Sequence, residues 1–85
     1  MDRFSVNWLD DALIEIAGCA ARSSDARKVV AAVGQANRIL AEDGANNARF
    51  LSEDLWCRDF EPLRVFFYCD NSKFEVEVAM VWLLD

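Results

Sequence analysis

The chain has 85 residues, of which 54% are hydrophobic and 28% are charged, and its formal net charge is −6 at pH 7. This balance is typical of a folded globular protein and excludes an intrinsically disordered chain, while the length predicts one domain, residues 1–85, with a single core. The acidic charge disfavours direct binding to nucleic acid, which generally requires a basic surface, and favours a partner that carries basic residues.

The first predicted elements are a short strand and a helix. Apolar and polar residues alternate over residues 3–8, which predicts a strand with one buried face. Over residues 9–22 the apolar residues recur with the spacing of one helical stripe, at Leu9, Ala12, Leu13, Ile16, Ala17 and Ala20. Acidic residues near the start of this segment and Arg22 at its end suit the dipole of a helix.

A second helix is predicted directly after the first. Residues 23–25 (Ser-Ser-Asp) end the first helix and offer an N-cap, and an apolar stripe then follows over residues 26–40. Gly44 is the expected stop signal. Because the break between the helices is short, the sequence predicts an antiparallel helical hairpin that covers one face of a sheet.

The remaining predicted elements are strands. Residues 49–51 and 55–60 have the pattern of two short strands with a polar turn between them. Residues 61–84 alternate apolar and polar on both sides of a polar break, which predicts a β-hairpin that turns at Asn71 and Ser72. In that register Phe67 faces Val76 and the apolar set lies on one face.

The predicted fold class is therefore α+β, with a two-helix antiparallel hairpin packed on one face of an antiparallel β-sheet, in the order β-α-α-β-β-β. No apolar run is long enough for a membrane span and no signal segment is recognisable, so we expect a cytoplasmic protein. Without histidine or CxxC spacing we expect no metal and no cofactor, and the cysteines Cys19, Cys57 and Cys69 should be reduced core residues.

The second face of the hairpin is unusually apolar and is predicted to bind a partner. A sheet face of this kind is seldom left in water by a monomer, so a partner helix, a partner strand or a second copy should cover it. The residues predicted to form this surface are Trp56, Phe66, Tyr68, Val81, Trp82 and Leu83.

The order of elements and three stretches of sequence resemble the RelE/ParE superfamily, the small toxins of bacterial toxin–antitoxin modules, which include plasmid-stabilisation proteins. The stretches are VNWLDDAL at the first helix, RIL at the end of the second, and PLRVFFYCDNSKFEVEVAMVW at the hairpin. The resemblance implies an antitoxin as partner. Relatives of this kind either cleave mRNA on the ribosome, inhibit DNA gyrase, or have lost toxicity.

In the mRNA-cleaving relatives, basic residues on the sheet hold the phosphate, and the resemblance assigns that role to Arg64, with Arg58 and Arg49 as further candidates. The alternative is that Arg64 forms a cross-strand ion pair, with Glu77 as the diagonal partner. Tyr68 is a candidate general acid or simply a strand aromatic. The histidine, basic segment and C-terminal tyrosine expected after the last strand are missing from a sequence that ends WLLD, so ribonuclease activity is disfavoured.

Three functions follow as hypotheses. The first is a toxin that acts by binding a protein such as DNA gyrase and is neutralised by an antitoxin. The second is an mRNA-cleaving toxin that uses Arg49, Arg58 and Arg64. The third is a non-toxic interaction domain of the same fold that forms a homodimer.

Overall fold

The computed structural model describes residues 3–84, over which two helices pack on one face of a five-stranded sheet. This confirms the predicted α+β class. The stretch that begins at Arg49 is a strand in its own right, so the sheet has one strand more than the predicted order counts. The elements are β1 (Ser5–Trp8), α1 (Asp10–Arg22), α2 (Ala26–Asp43), β2 (Arg49–Ser52), β3 (Leu55–Phe60), β4 (Leu63–Asp70) and β5 (Glu75–Leu83).

The prediction of one domain over residues 1–85 stays a prediction. It includes Met1, Asp2 and Asp85, which lie outside the described residues.

The strands lie in the order β1-β5-β4-β3-β2, and the sheet is mixed. Neighbouring strands from β2 to β5 are antiparallel, but β1 runs parallel to β5, with Val6 beside Val76. The prediction of a wholly antiparallel sheet is therefore wrong at this edge. Alternation in a sequence shows which side chains of a strand are buried, and it carries no information about the direction of the neighbouring strand.

Both helices begin as the sequence predicts. Asp10 and Asp11 lie in the first turn of α1 and Arg22 lies in its last turn, where their charges interact favourably with the helix dipole. Asp25 caps α2, because its carboxylate accepts a hydrogen bond of 3.0 Å from the Arg27 backbone N–H. The second helix ends at Gly44, whose N–H donates to the Leu40 carbonyl.

The core lies between the helices and the sheet. Small residues on the helices allow them to approach the larger side chains of β4 and β5. The fully buried residues include Ala12 and Cys19 on α1, Val29, Ala36 and Leu40 on α2, and Leu63, Val65, Phe67, Val76 and Val78 on the sheet. All three cysteines are buried: Cys19 and Cys69 belong to this core, as predicted, whereas Cys57 is buried on the other face of the sheet, opposite Phe66. Burial raises the pKa of the Cys69 thiol.

The turn of the last hairpin is longer than predicted. Phe67 lies opposite Val78, in place of the predicted Val76, and Val76 lies opposite Cys69. The carboxylate of Asp70 accepts hydrogen bonds from the backbone N–H groups of Ser72 and Lys73, at 3.0 and 3.2 Å, and so holds a wider turn. The shift is by two residues, so the same side chains still face the helices.

A β-bulge in β5 moves each residue that follows it to the opposite face of the sheet from the one that alternation alone predicts. Phe67 is opposite Val78 and Phe66 is opposite Met80, which leaves Ala79 as the extra residue. As a consequence Val81 lies opposite Val65 on the helix side of the sheet and is only 2% exposed. The predicted exposure of Val81 is wrong, because the extra residue moves it to the other face.

Candidate functional site

Arg64 is held by an ion pair on the open face of the sheet, the face away from the helices. Its Nε and Nη2 atoms donate to the two carboxylate oxygens of Asp59, at 2.7 and 3.1 Å. The hydrogen bond from Arg64 lowers the pKa of Asp59, and the charge of Arg49 lowers it further. Arg64 is therefore in a cross-strand ion pair, as one of the two alternatives predicted, but with Asp59 as its partner and not with Glu77.

Arg58 lies on the opposite face and serves the packing of α2. Its Nη1 atom donates to the Asp43 carboxylate at 3.0 Å and to the Asn46 carbonyl at 3.1 Å, and its guanidinium lies over the Phe60 ring. The three candidate arginines thus do not converge. The physical reason is the alternation of β3, which sends neighbouring side chains to opposite faces.

Arg49 and Arg64 do share the open face. Arg49 lies opposite Cys57, and Arg64 lies opposite Asp59 two residues further along β3. Within residues 3–84, Arg49 takes part in none of the ion pairs. The open face therefore carries two cations, Arg49 and Arg64, and one carboxylate, Asp59, which neutralises the charge of Arg64.

Tyr68 is far from this cluster. It lies four residues from Arg64 along β4, which corresponds to about 13 Å at roughly 3.3 Å per residue. Its neighbours across the sheet are Leu55 and Glu77. This position does not bring a phenolic proton donor together with Arg64 around one bond of a substrate.

The predicted partner surface is divided between the two faces of the sheet. Tyr68 and Trp82 are 44% and 49% exposed on the open face, where the Trp82 ring packs edge-on at 4.7 Å against Phe66 and leaves Phe66 only 6% exposed. Trp56 pairs with Phe67 and, like Leu83, is half-buried against the core on the helix side. Tyr68 and Trp82 therefore supply most of the exposed area of the predicted set.

A groove between α1 and β5 was missed by the sequence analysis. It is lined on one side by Ile14, Glu15, Gly18 and Arg22 of α1 and on the other by the end of β5 from Val81 to Leu83. Ile14 is 69% exposed, although it is a large apolar residue. The sequence contained one indication of this groove. Ile14 lies outside the buried apolar stripe of α1, so its side chain cannot pack in the core.

Clustered metal ligands and membrane-spanning helices are both absent from the described residues. No group of three or more metal-binding side chains lies together within residues 3–84. Neither helix of the described chain combines the length and the hydrophobicity that crossing a membrane requires.

No protein-family model and no curated protein matches the sequence. Among solved structures, the chain is similar to one in the crystal structure of the toxin–antitoxin complex RelBE2 from Mycobacterium tuberculosis, with a TM-score of 0.81. The two are 16% identical, and the alignment covers 100% of this chain and 97% of the other. A similarity of this extent at this identity establishes the fold, which this chain shares with a component of that complex.

Proposed function

We propose that this chain is the toxin of a bacterial toxin–antitoxin module, that it acts by binding another protein, and that an antitoxin neutralises it. The observation that carries the proposal is the similarity in fold over the full chain to a component of a toxin–antitoxin complex. The fold alone does not fix a function, so the mode of action depends on the residues that the fold presents.

The open face favours protein binding over mRNA cleavage. Cleavage of a phosphodiester without a metal needs cations that are free to hold the phosphate and a proton acceptor close by. Here the guanidiniums of Arg58 and Arg64 are bound by Asp43 and Asp59, and Tyr68 lies at a distance from both. Trp82 and Tyr68, in contrast, are large exposed aromatics of the kind enriched at protein interfaces.

The acidic residues around Tyr68 indicate the charge of the partner. Asp70, Glu75 and Glu77 lie close to Tyr68 on the same side of the hairpin, and Lys73 is the one cation among them. A partner segment with basic side chains would complement this rim. DNA gyrase is one target consistent with this mode of action, and an antitoxin segment with basic residues is the corresponding inhibitor.

Induced expression in a bacterial host tests the proposal. We expect growth arrest with intact transcripts, and we expect it to persist in the double variant R49A/R64A, since these arginines do no chemistry. The variant W82S should lose the arrest while still folding, because it removes exposed aromatic area at the open face. Gyrase-dependent DNA damage, scored in the same cells, then decides whether gyrase is the target.

Two outcomes would contradict the proposal. Cleaved transcripts, with cleavage lost in R64A, would make the chain an mRNA-cleaving toxin. Normal growth together with a monodisperse homodimer in the absence of any other protein would make it a non-toxic interaction domain.

A further inference from the structure

We propose that a second copy of this chain pairs along the outer edge of β2 and joins the two five-stranded sheets into one continuous sheet. The pairing is antiparallel and centred on Phe50, so that each copy presents the same residues to the other. Tyr68 and Trp82, on which the proposed function depends, lie on β4 and β5, away from this edge. The inference therefore concerns a different surface.

β2 is the most open edge of the sheet. At β1, the N–H of Phe4 donates to the Ala41 carbonyl of α2. Beyond the end of β1, the N–H of Val81 in β5 donates to the Glu15 carboxylate of α1. Among the described elements, in contrast, β2 packs extensively only on β3, and all four of its residues are exposed. An edge of this kind presents backbone donors and acceptors to another strand.

The hydrogen-bond pattern shows which residue of β2 offers them. The Cys69 N–H donates to the Asp54 carbonyl at 3.4 Å, which continues the ladder between β3 and β4 by one pair. Bonded residues of an antiparallel strand alternate between its two neighbours, so Cys57 directs its backbone groups to β2, where Arg49 is its partner. The next residue, Phe50, therefore directs its N–H and carbonyl outward.

The side chain of Phe50 also suits a second copy. It is 54% exposed on the helix side of the sheet, and its ring packs edge-on against Trp56 with the centroids 5.1 Å apart. In a pairing centred on Phe50, the two Phe50 side chains lie opposite each other beside the two Trp56 rings. Cross-strand aromatic pairs stabilise antiparallel strands, so the dimer would bury an aromatic that the monomer leaves half in water.

The charges near this edge are complementary between two copies. Arg49 precedes Phe50, and Glu53 lies in the turn that follows β2, so the two-fold axis brings Arg49 of each copy close to Glu53 of the other. Within residues 3–84 neither of them takes part in an ion pair. The two arginines also approach each other, but two attractions act against this one repulsion. The second copy therefore supplies Arg49 with a carboxylate partner.

Sedimentation velocity of the purified protein over a range of concentrations tests the inference. The interface is small, because it consists of one four-residue strand from each copy, and interfaces of this size belong to weak, transient associations. We therefore expect a monomer at about 1 µM and a reversible dimer at about 100 µM.

Charge exchange locates the interface. We expect R49E and E53R each to weaken the dimer about tenfold, since each replaces the attractions by repulsions. The double variant R49E/E53R restores opposite charges, and its dissociation constant should lie within about twofold of that of the parent. A loss of dimer caused by damage to the fold would not be rescued in this way.

Substitution of the central aromatic gives a second test. F50K should abolish the dimer, because it places two like charges opposite each other at the two-fold axis. L13K is the matched control, since Leu13 is similarly exposed, at 50%, but lies on α1, and it should form the dimer as the parent does. Circular dichroism shows whether each variant is folded, and the charge exchange decides the question if F50K is not.

The inference is overturned if the protein stays monomeric at every concentration, or if the double variant R49E/E53R is no better than the single variants. It is also overturned if L13K dissociates a dimer that F50K leaves intact, because the two copies then meet through the helices. None of these readouts involves growth arrest, so this inference and the proposed function fail separately.

Discussion

Gly44 closes α2 with a backbone conformation that other residues avoid. Its φ is +56°, and a Cβ at this position would lie 2.5 Å from the ring of Phe4. Gly34, in the middle of the same helix, has an ordinary helical environment with nothing within 4 Å of an added Cβ. The two glycines therefore differ in what an alanine would do.

We expect G44A to lower the free energy of unfolding by about 2 kcal/mol or more, because it adds backbone strain and a clash. We expect G34A to raise it by roughly 0.5–1 kcal/mol, since alanine is the better helix former. Urea unfolding followed by circular dichroism measures both. Equal effects of the two substitutions would contradict the conformation described for Gly44.

The ion pair of Asp59 and Arg64 predicts a pH dependence. The hydrogen bond from Arg64 lowers the pKa of Asp59 in the folded state. A lowered pKa contributes stability above the unfolded-state pKa, and this contribution is lost as the pH falls through the folded-state value. The contribution is reduced by solvent, because the Asp59 side chain is 44% exposed.

We expect D59N to be less stable than the parent protein at neutral pH and the difference to disappear in acid. Urea unfolding from pH 7 down to pH 2 measures it. E61Q is the control, since Glu61 is exposed and takes part in no ion pair within the described chain, and its effect should not follow the same curve. A D59N effect that is constant with pH would contradict the ion pair.

At the scale of the elements, the bulge in β5 decides which side chains reach the core. Ala79 is the extra residue, and the ladder on both sides of it is regular. Deleting Ala79 removes the irregularity and leaves Val81 on the helix side. Deleting Glu77, which lies in the regular ladder opposite Tyr68, sends the residues on one side of it to the wrong face.

We therefore expect the protein without Ala79 to fold and the protein without Glu77 to remain unfolded or aggregate. Thermal unfolding followed by circular dichroism compares the two deletions. If both unfold at similar temperatures, the bulge does not sit at Ala79.

The elements themselves could be predicted from periodicity. Both helices, the N-cap at Asp25, the stop at Gly44 and the strands were expected where they occur, because one-sided burial leaves a clear pattern. The register of the hairpin could not be predicted, since hydrogen bonds from the turn to Asp70 set its length. The bulge could not be predicted from the sequence either, because an alanine in a strand does not indicate one.

The candidate site was predicted less well for the same reason. A shift of one residue in β5 exchanges the exposed and buried sets, so Val81 was placed on the wrong face while Trp82 and Tyr68 were placed correctly as exposed. The orientation of an arginine side chain depends on contacts with residues far away in the sequence. Arg58, for example, is bound by Asp43 of α2. Contacts of this kind leave no trace in a single sequence.

At the scale of the whole molecule, the net charge of −6 disfavours binding to nucleic acids. We expect a labelled single-stranded RNA to bind with a dissociation constant weaker than about 10⁻⁴ M at physiological salt, the weak end of non-specific binding. Fluorescence polarisation measures it, and R49A/R64A should change little. Micromolar binding that this double variant abolishes would show that the arginines hold phosphate.

The parallel pairing of β1 with β5 has a consequence for biosynthesis. Ser5 is made early and its neighbour Glu75 late, so the sheet edge cannot form until nearly all the described residues have been translated. Until then the apolar sides of β1 and of both helices lack the strands they pack against, and contacts between such distant positions form slowly. The nascent polypeptide consequently acquires its native sheet only after β5 has been made, and chaperones or proteases have access to it until then.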